Sequence, residues 1–244
     1  MTTLHSHSVV TSAYLKNMQI SPQHVQKYLK SGWIEALGSG AFKRTGEAPT
    51  WAGALKSVQS QLALPIHVGA MTALATQGAS HYVRIGRERV FLFSMPGVNL
   101  PTWFKNHAWG ATVDFIRTQF LPDDLGVREQ SFEGFRLKAA APERAILECL
   151  HLAPDSIDLM ECYQVVEGLQ NLRPPLMQQL LESCNSFKVK RLFLFMAEKA
   201  GLPVMNRLEI DRISLGSGSR ALVPGGKYDR SQDDSSQGVP PSPP

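Results

Sequence analysis

The side chains best suited to chemistry in this chain sit at the start of one short helix. Ser21 and Pro22 form a helix N-terminus. The hydroxyl can cap orphan N–H groups, and proline fits the first helical position because it has no N–H to lose. Gln23, His24, Gln26, Lys27 and Lys30 follow, while Val25, Tyr28 and Leu29, spaced i, i+3 and i+4, are expected to face the core. The polar set therefore points outward. Amide and imidazole groups near a helix N-terminus can read base edges in a DNA major groove, and lysines can neutralise phosphates, which positions a protein without reading sequence. Lys43 and Arg44, further along, offer two more phosphate-binding cations. A protein–protein module with an ordinary solvated face would show the same residue types, and that alternative stays open.

These side chains need elements to position them. Residues 9–17 read as a first helix, with Val10, Ala13 and Tyr14 or Leu15 as its packing face. Met18-Gln19-Ile20 reads as a turn with Ile20 as its buried plug, and Gly32 ends the second helix where a positive φ is wanted. Two strand-like pieces, 34–37 and 41–44, flank Gly38-Ser39-Gly40, a wing turn. Helix, turn, helix and hairpin in that order make a winged helix-turn-helix. After a linker at Gly46-Glu47-Ala48-Pro49, Thr50 can cap a helix in which Trp51, Leu55, Val58 and Leu62 form one stripe.

The remainder reads as a mixed body. Residues 66–68 are a short strand, 69–77 a tight helix of small residues ending at Gly78, and 82–85 with 89–93 a hairpin about Gly86-Arg87-Glu88. Residues 96–109 are irregular, with Pro101-Thr102-Trp103-Phe104 lying down on the core, and 112–118 and 132–137 read as further strands. Helices are expected over 142–152, 156–169, 175–183 and 187–200, then a strand-like 208–215 and a disordered Ser/Pro-rich 230–244. The expected fold class is α+β, with a winged helix-turn-helix over 1–48, a larger mixed α/β domain over 49–228 and a tail over 229–244.

The chain has 244 residues and a net charge of +4. Residues 1–56 carry Lys16, Lys27, Lys30, Lys43, Arg44 and Lys56 against only Glu35 and Glu47, so the whole excess lies where a DNA-binding end would need it. Cys149, Cys162 and Cys184 are far apart and outside any CxxC spacing, which favours a reducing cytoplasm over a disulfide framework. No run of eighteen apolar residues exists, so no membrane partner is expected, and residues 1–10 lack the pattern of a secretory signal.

No catalytic, metal or cofactor constellation rises above background. Gly38-Ser39-Gly40 and Gly216-Ser217-Gly218-Ser219 lack a phosphate-cradling spacing. The second resembles a nucleotidyltransferase Gly-Ser, but Asp229 stands alone and Asp233-Asp234 fall in the tail. Glu129, Glu133 and Glu143 lack the lysine two residues on that a metal-dependent nuclease needs, and Lys138 has no acid two residues before it. Cys149 with His151 gives only two zinc ligands, on a helix that core packing explains better. His67 and His81 frame the small-residue helix and suit a hydrogen-bonded structural pair better than acid–base work.

Several segments together carry a resemblance. KYLKSGWIEALGSGAFKR, WAGALKSVQSQL, IHVGAMTALATQGASHYV, LPTWF, APERAILECL and LEIDRISLGSGSR resemble, in order and spacing, the AbiEi antitoxins of bacterial type IV toxin–antitoxin systems. The resemblance spans roughly residues 9 to 228. It implies a winged helix that binds operator DNA and represses its own operon, and a C-terminal domain that counteracts a cognate nucleotidyltransferase toxin without requiring a stable complex. It implies no enzyme. Three departures accompany it. Residues 1–8 are too few to supply the further helix that family members carry, Gly69-Ala70 stands where a Gly-Gly pair is common, and GGKY runs into SQDDSSQGVPP as a truncated or shifted end. A winged-helix regulator without antitoxin activity is the alternative, with a nuclease or nucleotidyltransferase behind it.

Overall fold

A computed structural model describes residues 6–75 and 88–216. The expected segment 82–85, His81, the end of the small-residue helix at Gly78, most of the second Gly-Ser run and the tail lie outside the described residues.

The chain starts extended. Val10–Thr11 is a strand, β1, followed by helix α1, Ser12–Asn17. This corrects the expectation of a helix from residue 9. Val9, Val10 and Thr11 are β-branched or followed by a cap, and the Thr11 hydroxyl accepts the Tyr14 N–H, so the helix cannot begin earlier. Helix α2 is Pro22–Lys30, as read from sequence. It ends in a paired C-cap: the Gly32 N–H donates to the Leu29 carbonyl and the Trp33 N–H to the Tyr28 carbonyl, with Gly32 at φ +70°. Strands β2, Ile34–Gly38, and β3, Ala41–Arg44, form the wing hairpin, and β1 pairs with the free side of β3 in the order β1-β3-β2.

Both faces of this small sheet are covered. Val10 lies opposite Phe42 on the face towards α1 and α2, where Val25 is the one fully buried residue of the helix pair. Val9 and Ala41 lie on the other face and belong to the main core, beneath helix α3, Trp51–Ser60. Thr50 caps α3 by accepting the Gly53 N–H. Ser57 donates its hydroxyl to the Val9 carbonyl; the Gln61 side chain accepts the Thr11 N–H at 2.8 Å and donates to the Val9 carbonyl at 2.9 Å. The extra helix that a winged helix needs is thus supplied from the C-terminal side of the wing.

Among the described residues the body holds a five-stranded mixed sheet in the order β6-β5-β4-β8-β7, formed by β4 (His67–Val68), β5 (Arg89–Ser94), β6 (Thr112–Arg117), β7 (Val127–Phe132) and β8 (Phe135–Ala140). The expected strand over 132–137 is split by the turn of the β7–β8 hairpin at Glu133-Gly134, so that Phe132 ends β7 and Phe135 to Leu137 begin β8. Glu133 and Gly134 both take positive φ, +48° and +84°, the geometry that matches the twist of paired strands. Helix α4, Ala70–Ala75, follows β4, and the short α5, Thr102–Asn106, lays Trp103 and Phe104 on the core as expected. Helices α6 (Pro142–Leu152), α7 (Leu159–Gly168), α8 (Pro174–Ser183) and α9 (Phe187–Lys199) complete it. The expected strand over 208–215 holds instead one short 3-10 turn, Ile210–Arg212, after another at Pro203–Arg207, because the Gln178 amide takes both the N–H and the carbonyl of Glu209 and leaves no edge to pair. All three cysteines are buried and none is in a disulfide.

Helix α6 runs through the centre and is buried on every side from Glu143 to Leu150, not only along the expected apolar stripe. Its charged residues are therefore ion-paired. Glu148 accepts from His67 at 2.8 Å, from Arg144 at 2.8 Å and from the Ala70 N–H at 3.0 Å, while Arg144 also reaches the Pro122 and Leu125 carbonyls. Ala70 takes φ +45°, a backbone conformation that favours glycine, and donates that N–H to Glu148. Burial pushes the Glu148 carboxyl up, but the His67 and Arg144 charges outweigh it and hold it below the usual range. Its contribution to stability is therefore present at neutral pH and lost as pH falls through that depressed value. Glu148→Ala, which strands Arg144 without its charge partner, is expected to cost about 3–5 kcal/mol in denaturant unfolding and to remove much of the wild type's loss of stability below about pH 4.5.

Candidate nucleic-acid interface

The Ser21 hydroxyl accepts the His24 N–H at 3.3 Å and also lies 3.0 Å from His24 Nδ1, so one serine both starts the helix and holds the imidazole over its N-terminus. At about 100° per residue, Gln26, Lys30, Gln23 and Lys27 fall within about one third of the helix circumference, with Val25 on the opposite side. All four are exposed. Helix α2 contains no acid, and neither Lys27 nor Lys30 forms an ion pair among the described residues. The result is an uninterrupted face of two amides and two ammonium groups, with His24 at its flank.

The wing cations are placed differently. Lys43 bridges to Glu35 at 2.7 Å across the hairpin, where the two are register partners, and donates to the Glu47 carbonyl at 3.0 Å. Glu35 is held below the usual carboxylate range, chiefly by that hydrogen bond from Lys43. Arg44 pairs with Glu47 at 3.2 Å and is half exposed. The two acids of the N-terminal region thus occupy the two wing cations, and the free positive charge concentrates on α2.

The wing tip is also fixed. A Cβ added to Gly38 would meet the Trp103 Cβ at 2.8 Å, so glycine is required for β2 to lie against α5. Helix α5 covers the outer edge of the wing, and His107 beyond it lies close enough to feel Lys43. Burial first, and that cation second, hold the His107 imidazole below its ordinary pKa. Nothing in the sequence indicated this contact except the glycine at position 38.

One residue was misplaced by pattern. Tyr28, expected in the core, is 40% exposed at the border of the polar face, and its neighbour Trp33 is 61% exposed. A helical-wheel reading would have placed Tyr28 at the edge, since it falls about 60° from Val25 and about 40° from His24.

The other candidates are structural here. His67 is buried and bound to Glu148, and stacks on Phe93. His151 stacks on Phe120 with ring centroids 4.2 Å apart, and burial holds it below its ordinary pKa, with Lys188 adding to the effect. Burial raises the Cys162 thiol to about 12. No group of three or more His, Cys, Asp or Glu able to hold a metal ion occurs among the described residues, and none of the described helices is long and apolar enough to cross a membrane.

Two family models match successive parts of the chain. One, described as the N-terminal domain of the AbiEi antitoxin transcriptional regulator, covers residues 1–85; the other, described as "Transcriptional regulator, AbiEi antitoxin, Type IV TA system", covers 87–234. No curated protein matches by sequence. Among solved structures the chain is similar in fold to the RV2827C protein from Mycobacterium tuberculosis, with a TM-score of 0.53 and 15% identity over 83% of this chain and 77% of that one. The shared fold accords with the α+β architecture.

The pinned wing yields a direct test. Gly38→Ala should force β2 and α5 apart and lower stability by about 1–3 kcal/mol in denaturant unfolding, whereas Gly46→Ala, where nothing lies within 4 Å of the added Cβ, should pay only for its φ of +77°, about 1–2 kcal/mol. Equal and negligible losses in both would mean that α5 does not hold the wing.

Proposed function

As a member of the AbiEi antitoxin family of type IV toxin–antitoxin transcriptional regulators, this chain is one for which we propose operator binding through α2, repression of its own operon, and non-enzymatic neutralisation of a nucleotidyltransferase toxin encoded beside it. The observation that carries the DNA reading is the acid-free exposed face of α2, capped by Ser21 and bearing Gln23, Gln26, Lys27 and Lys30. Gln23 and His24, at the helix start, are the side chains for base edges; Lys27 and Lys30 are those for phosphates. Lys43 and Arg44 contribute mainly by shaping the wing, since Glu35 and Glu47 already hold them.

Residues 1–48 form the DNA-contacting part, and α3 acts as its foundation within the body. Residues 49–228 carry antitoxicity. A protein acting on an operator and on a neighbouring toxin works in the cytoplasm, in contact with DNA and not with a membrane.

The test measures binding to a duplex from upstream of the gene across a salt series. Lys27→Ala and Lys30→Ala should each reduce the slope of log affinity against log salt by about one unit, and Lys43→Ala should change it little while lowering the melting temperature. Unchanged slopes in the α2 variants would end the DNA reading. Co-expression with the adjacent toxin then separates the two roles: growth rescue by a Lys27→Ala, Lys30→Ala double variant is expected, and failure of the wild type to rescue growth would leave a regulator without antitoxin activity.

A further inference from the structure

Tyr28 and Trp33 are large aromatic side chains left 40% and 61% exposed in the most basic part of the molecule. The C-cap of α2 brings them together, because the Trp33 N–H donates to the Tyr28 carbonyl at 3.0 Å. Positions joined in this way commonly carry an apolar contact that seals the helix end, yet both side chains remain open here. Neither the phenol hydroxyl nor the indole N–H has a hydrogen-bond partner among the described residues. Two such aromatic groups at one helix end expose more apolar area than a single surface residue does, and larger apolar patches are what contact sites expose.

The surroundings select the partner. Lys27 and Lys30 stand one and two residues from Tyr28 on the acid-free helix, and the nearest acid in sequence, Glu35, is held by Lys43 at 2.7 Å. A second copy of this surface would set lysines against lysines. Double-stranded DNA offers the complement: deoxyribose faces for the rings, and phosphate oxygens that accept from the phenol O–H and the indole N–H. We propose that the DNA contact of this protein extends beyond the lysines onto Tyr28 and Trp33, which pack on the sugar–phosphate backbone at the C-terminal end of α2. The inference rests on the reading of α2 as the DNA-facing helix and adds to it an anchoring pair that neutralises no charge.

Fluorescence and binding test it on the full chain, with a duplex taken from directly upstream of its own coding sequence and a shuffled duplex as competitor. Trp51 and Trp103 are buried and Trp109 is half buried, so the acrylamide-quenchable emission belongs mainly to Trp33, and Trp33→Phe identifies it. Duplex binding should shield that emission. Tyr28→Ala and Trp33→Ala should each weaken binding about five- to tenfold, with the salt slope unchanged because no phosphate charge is lost. Tyr28→Phe should fall between Tyr28→Ala and wild type. Both side chains are exposed, so melting temperatures close to wild type are expected and a folding defect is separable.

Wild-type affinity in both aromatic variants, or a Trp33 as open to acrylamide with duplex bound as without, overturns the inference while the Lys27 and Lys30 slope changes still stand. If those slope changes are absent as well, the reading of α2 itself has failed. Shielding of Trp33 that grows with protein concentration in the absence of DNA assigns the pair to a second copy and also overturns the inference.

Discussion

Ser57 and Gln61 grip the backbone of Val9 and Thr11, and the position of the whole helix-turn-helix depends on that grip. A three-stranded sheet exposes two faces, and a pair of helices as short as α1 and α2 can cover only one. With no buried residue on α1 and only Val25 on α2, the helix pair has little core of its own. Val9 and Ala41 instead drop into the core shared with α3, and the hydrogen bonds from Ser57 and Gln61 satisfy backbone groups that burial would otherwise leave costly. Helix α2 is held in place because the sheet beneath it is part of the body.

The same economy governs charge. The N-terminal region has few acids, and the fold spends both on the wing, where Glu35 holds Lys43 and Glu47 holds Arg44. Exposed pairs of this kind add little stability, but they remove the wing cations from competition and leave α2 as the positive element. The wing is pinned from the other side by Trp103 against Gly38. A wing held at both its tip and its edge presents the helix and does not itself reach outward. In the body, Glu148 ties β4, α4 and α6 together, and Arg144 extends the tie to the loop at Pro122 and Leu125.

Local chemistry made much of this readable. Ser21-Pro22 and Gly32 bound α2 correctly at both ends, because capping and positive φ are properties of single residues. Helices α6, α8 and α9 were bounded within a residue: prolines open the first two, and the third is capped by Ser186 and ends before Gly201 at φ +64°. The failures share a cause. Val10-Thr11 became a strand because β3 was there to pair with it, and 208–215 lost its strand because Gln178 took the backbone groups of Glu209. Glu133-Gly134 did carry a local turn signal, but the apolar residues on either side masked it.

What the sequence determined alone was the order of elements, the acid-free composition of α2 and the family motifs, all of which depend on residue type and short spacing. What tertiary structure decided was which cations are free, which face of the wing sheet is buried, and that Tyr28 lies open beside Trp33. Those depend on contacts that only the fold makes, from the hairpin that sets Glu35 across from Lys43 to Ser57 on the Val9 carbonyl 48 residues away. Lys43 and Lys27 look alike in sequence; only the fold sets Glu35 across from one and solvent across from the other.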